Sequence, residues 1–140
     1  MTEIRILAVD YGRRRVGVAV SDPTGHIAQG LPTLTHRGLA HAATLVAHLV
    51  REYRAQTVVV GLPLSMRGST TSATEEVEKF IGRLAALVTV PVVRWDERLT
   101  TVAAQRAMQE MGSSPSRHRE RVDQVAATML LQAYLDSQKR

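Results

Sequence analysis

Apolar residues crowd the opening of the chain in two short blocks, 4–10 and 16–20, each rich in isoleucine and valine and each too short for a helix. The first block ends on a carboxylate, Asp10, and only Tyr11-Gly12 and three arginines separate it from the second, so the pair predicts a β-hairpin. Asp22-Pro23-Thr24-Gly25 supplies turn chemistry, with proline presetting φ and glycine free to take positive φ, and leads into a third strand over 27–34. A three-stranded meander therefore opens the fold. At Leu39 the period changes: Leu39, Ala42, Ala43, Val46, Leu49 and Val50 recur at three- and four-residue spacing, which predicts an amphipathic helix over 39–53.

Residues 57–62 form a β-branched run without polar alternation, the pattern of a strand buried on both faces. Ser72 with Glu75 reads as a capping box ahead of a second helix reaching about 87. A fifth strand is expected over 91–95, stopping at Asp96-Glu97-Arg98, then a third helix over 101–111 closed by Gly112, a polar loop over 113–116 and a last helix over 119–137. The order β-β-β-α-β-α-β-α-α predicts an α/β fold: a mixed five-stranded sheet, antiparallel meander plus parallel strands, with helices on both faces. No internal repeat, low-complexity tract or long linker interrupts it, so residues 1–140 are read as a single domain.

Composition narrows the chemistry. With 140 residues, 44% of them hydrophobic and 22% charged, the chain matches an ordinary globular domain able to bury one core. It has no cysteine, which excludes a disulfide framework, a thiolate metal site and a cysteine nucleophile, so any metal must sit on oxygen or imidazole. The first apolar run follows Glu3 and is broken by Asp10, unlike a signal peptide, and no run approaches the ~20 apolar residues that span a bilayer. A cytoplasmic location with no membrane partner is the expectation. The formal charge of +5 and a pI near 10.4 suit a polyanionic partner, although a simply solvated basic surface has the same composition.

Three acids fall at the ends of core elements. Asp10 closes the first strand, Glu97 follows the fifth, and Asp123 precedes Ala126, Ala127 and Leu130 at helical spacing, so it points with an apolar stripe. A carboxylate on a buried face is costly unless paired, hydrogen-bonded or bound to a cation. Each has a plainer reading: Asp10 as an Asx turn, Asp96-Glu97-Arg98 as a loop ion pair, Asp123 as a helix-start acid neutralised by Arg119 or Arg121. Together they suit Mg2+ or Mn2+, which prefer oxygen ligands, and a metal site that hydrolyses phosphodiesters. Arg13, Arg14 and Arg15 are placed either to grip flanking phosphates or to form a solvated hairpin tip, and Arg98 either to meet developing charge or to pair an acid. The five histidines show no ligand spacing.

Asp10-Tyr11-Gly12 with Gly17-Val18-Ala19-Val20-Ser21, Val60-Gly61-Leu62-Pro63-Leu64 with Gly68-Ser69, Asp96-Glu97-Arg98-Leu99-Thr100-Thr101, and Val122-Asp123 with Ala126-Ala127 occur in this order over nearly the whole chain. The set resembles the YqgF family of Holliday-junction-resolvase-like proteins. The resemblance implies an RNase H-like fold and a cytosolic nuclease trimming the 5′ end of precursor 16S ribosomal RNA. It also implies metal-binding, catalytic carboxylates at Asp10, Glu97 and Asp123, with Asp96 an alternative to Glu97. Ser65 and Arg67 stand where the family usually has asparagine and aspartate, a departure that bears on substrate contact and adds Arg67 to the candidate nucleic-acid-binding residues. In the related RuvC resolvases the second carboxylate ends the fourth strand, which here reads Gly61-Leu62-Pro63, so Glu97 must reach across from the next strand. The competing function with the same chemistry is a four-way DNA junction resolvase, which needs paired sites in a symmetric dimer, and both monomer and homodimer stay open. An actin-like ATPase or sugar kinase would need a second domain, and a non-catalytic RNA-binding module would keep the scaffold without the cleavage.

Overall fold

The structure is a computed structural model that describes residues 3–100 and 115–139. Five strands form one sheet: β1 (Ile6–Tyr11), β2 (Arg15–Ser21), β3 (Ala28–Thr35), β4 (Thr57–Leu62) and β5 (Val92–Asp96), in the spatial order β3-β2-β1-β4-β5. The meander is antiparallel, whereas β4 and β5 run parallel to β1, as their connections through helices require. The Asp22 turn forms as its residues dictate: Asp22 Oδ1 accepts from the backbone N–H groups of His26 and Ile27 at 2.9 and 2.8 Å, and Gly25 takes φ 74°.

Side chains alternate across the sheet with a period of two, and the two faces carry different volumes. Leu7, Val9, Val16, Val18, Val20, Val58 and Val60 face α1 (Leu39–Tyr53) and α2 (Ser72–Ala85), where they bury Ala42, Ala43, Val46, Val77, Phe80 and Leu84. The opposite face presents small residues, Ala8 and Ala19 with Val59, to Ala127, Leu130, Leu131 and Leu135 of α3 (Pro115–Ser137). The small-residue face lets α3 lie close to the sheet.

Two expectations are corrected. Thr71, not Ser72, caps α2: its hydroxyl accepts from the Thr74 N–H while the Thr74 hydroxyl accepts from the Thr71 N–H. Thr74 is held there because it also donates to the Pro63 carbonyl, which ties the start of α2 to the end of β4, and Ser72 is already the first helical residue. The last helix begins at Pro115 rather than 119, so residues 115 and 116 belong to it and not to a loop; proline suits a first helical turn, where its missing N–H would have no partner. The helix expected over 101–111, its closing Gly112 and the start of the 113–116 loop lie outside the described residues. No helix among the described residues is long and apolar enough to cross a membrane.

Candidate carboxylate site and nucleic-acid interface

The pleat of β1 decides where Asp10 points. Leu7 and Val9 face α1 and α2, so Ala8 and Asp10 face α3, and Asp10 stands opposite Gly17 of β2. A Cβ on Gly17 would lie 2.2 Å from the Asp123 carbonyl oxygen, so only glycine admits this turn of α3 against β2. That contact brings Asp123 beside the end of β1.

Glu97 arrives from the other side. It opens the 3-10 turn Glu97–Leu99 just after β5, and its carboxylate folds back over β4. A Cβ on Gly61 would sit 2.7 Å from Glu97 Oε1 and 2.6 Å from Leu130 Cδ1, so the missing side chain of β4 is the space Glu97 occupies. There it hydrogen-bonds Asp10, which is half-buried. Burial first, then the Glu97 hydrogen bond, then the negative charges of Glu97 and Asp123 raise the Asp10 carboxyl well above the usual carboxylate range. Asp10 and Glu97 thus meet, with Asp123 near enough for its charge to act on Asp10.

The neighbouring charges divide the remaining roles. Arg98 donates from Nε to both oxygens of Asp96 at 2.9 and 3.0 Å and from Nη2 at 2.5 Å, which turns Asp96 outward and holds its carboxyl below the usual range. Of the two adjacent acids it is Glu97 that meets Asp10. Arg15 Nε donates to Asp123 Oδ2 at 2.7 Å, bridging β2 and α3, so this member of the arginine triplet pairs an acid of the site. Arg13 and Arg14 are exposed on the β1–β2 loop and form no ion pair among the described residues. Arg67 is exposed on the loop after β4, and the Arg98 guanidinium lies under the same loop, 3.5 Å from the Met66 carbonyl.

The donor set is hard oxygen, with the Asp10 and Glu97 carboxyls in hydrogen-bond contact and the Asp123 charge nearby, which is chemistry that fits a divalent cation. Among the described residues no three His, Asp or Glu side chains close into a cation cage. Gly17 and Gly61 stood in the sequence motifs, but that they make room for Asp123 and Glu97 escaped sequence reasoning. The signal was the recurrence of small residues, Ala8, Gly17, Ala19 and Gly61, at positions that share one sheet face.

Among solved structures the fold is similar to Thermus thermophilus RuvC in complex with a Holliday junction, with TM-score 0.62 and 14% identity over 96% of this chain and 97% of that one. It is also similar to the Fowlpox virus resolvase bound to junction DNA, with TM-score 0.57 and 14% identity over 98% and 100% of the two chains. These likenesses define the fold as RNase H-like. A family model described as "RuvX: Holliday junction resolvase" matches residues 4–137, and the chain belongs to that family. Relatives include a protein of Moorella thermoacetica, 48% identical over 133 residues and 95% of each chain, and one of Acetivibrio thermocellus, 45% identical over 136 residues and 96% of each chain. Both bear the name "Putative pre-16S rRNA nuclease".

Proposed function

We propose that this protein is a divalent-metal-dependent endonuclease, acting in the cytoplasm as one domain over residues 1–140, that trims the 5′ end of precursor 16S ribosomal RNA. The observation that supports the reading is the hydrogen bond of Glu97 to Asp10 at the end of β1, with the Asp123 charge nearby. The names of the relatives support the RNA substrate. Asp10, Glu97 and Asp123 would hold Mg2+ or Mn2+, which when bound supplies activation of water and neutralisation of the leaving oxygen. Arg15 orients Asp123, and the hydrogen bond between Asp10 and Glu97 keeps their carboxyl groups together. Arg13, Arg14, Arg67 and Arg98 flank this point and would position the phosphates on either side of the scissile bond.

The description of the family favours a second substrate, the four-way DNA junction. Cutting two junction strands would require a symmetric homodimer, whereas trimming one RNA end requires only a monomer. The test compares cleavage of a 5′-extended 16S precursor with that of a synthetic four-way junction, each with Mn2+ and with chelator. The expected result is cutting of the precursor in Mn2+ alone. Cutting of the junction but not the precursor would transfer the assignment to a resolvase. Binding of RNA without cleavage in Mn2+ would reduce the protein to a binding module.

A further inference from the structure

Tyr11 follows Asp10 and, by the pleat of β1, faces the other side of the sheet, where its ring stacks between His36 and Phe80 at centroid distances of 5.5 and 4.7 Å. There it borders a cleft of about 340 Å³, lined by Tyr11, Gly12 and Arg13 on one wall and by Pro63, Ala73, Glu76 and Val77 on the other. That volume is at the small end of ligand clefts, the scale of a nucleoside. Pro63, Ala73 and Val77 give it apolar surface, and Arg13 stands exposed at its edge. Glu76 is half-buried and makes no hydrogen bond or ion pair among the described residues, and the Tyr11 hydroxyl makes no hydrogen bond among them. Tyr11 and Glu76 both line the cleft, so it carries a hydroxyl and a carboxylate beside its apolar surface.

A carboxylate without a cation partner repels phosphate and accepts N–H donors. An RNA offers donors at its base edges and at the 2′-hydroxyl, and of these only a planar base also matches the apolar walls. We propose that this cleft is a nucleobase subsite, which takes one unstacked base beside the phosphodiester held at Asp10 and selects guanine through Glu76. Guanine presents two adjacent donors, N1–H and the 2-amino group, to the two oxygens of one carboxylate. Adenine offers an acceptor at N1 and uracil a single donor. Arg13 at the edge meets the phosphate of the same nucleotide. The inference rests on the nuclease reading and adds to it a preference for sequence beside the cut.

The test measures binding of the full chain, in chelator so that nothing is cut, to fluorescent uridine tracts carrying one central guanosine, inosine or adenosine, alongside the plain tract. The guanosine strand is expected to bind about ten-fold more tightly than the adenosine strand, with inosine, which lacks the 2-amino group, between them. Glu76→Gln should collapse that ratio within its own set of strands. Ala73→Leu, which fills the mouth from the exposed face of α2, should do the same while leaving the carboxylate in place. Equal binding of all strands by the parent would overturn the subsite and leave the nuclease reading standing. A guanosine preference that survives both variants would also overturn it, and failure to bind any strand at low salt would overturn the nuclease reading itself.

Discussion

Asp10 carries the sharpest consequences of any single residue. Its carboxyl is raised by burial and by two neighbouring acids, so its folded value lies above its unfolded one. The stability this contributes is present below the ordinary carboxylate value and is lost as pH rises through the raised one. In the metal-free protein, Asp10→Asn should therefore match the parent at acid pH and become more stable, by about 1 kcal/mol, as pH climbs toward neutrality. Melting temperatures of the two proteins between pH 4 and 8 in chelator check the sign. The same variant should lose Mn2+-dependent cleavage, because it removes one anionic ligand while keeping the shape. An Asp10 that merely formed a turn would change neither quantity, since asparagine also makes Asx turns.

Among the elements, α3 is the one whose distance from the sheet decides the site. Gly17→Ala would drive a Cβ into the Asp123 carbonyl, a backbone atom that cannot rotate away, so α3 must shift. Overpacking of this kind destabilises by about 1–3 kcal/mol, and cleavage should fall with it as Asp123 leaves Asp10. Gly82 is the control. It is exposed near the end of α2 with nothing within 4 Å of a built Cβ, so Gly82→Ala should stabilise by about 0.5–1 kcal/mol through helix propensity and leave cleavage unchanged. Urea unfolding and cleavage rate, measured on both variants, separate helix placement from general stability.

For the whole molecule, a charge of +5 predicts nucleic-acid binding that weakens steeply with salt, through release of counterions. Arg13→Ala and Arg14→Ala should each lower the slope of log affinity against log salt by about 1, whereas Arg15→Ala should act chiefly through Asp123, which it pairs. Titrations between low and physiological salt test this, and slopes that do not move would remove the two exposed arginines from the interface. The order of the described elements and the sheet type were legible in the chain because hydrophobic period and turn chemistry are local; Asp10 and Glu97 stood out by lying at the ends of such elements, whereas Asp123 lies inside the helix that begins at Pro115. The cap on α2 was misread for a reason that is not local: Thr74 is anchored by the Pro63 carbonyl of a distant strand. Sequence likewise kept Asp96 as an alternative to Glu97, and left Arg15 among the phosphate candidates. Only packing across the sheet turned Glu97 over Gly61 toward Asp10, gave Arg15 to Asp123 and opened a cleft behind Tyr11, while Asp96 pairs locally with Arg98. Period and turn residues determine which elements form and which face each side chain takes; how closely two elements approach depends on the volumes that meet between them, and those belong to residues far apart in the chain.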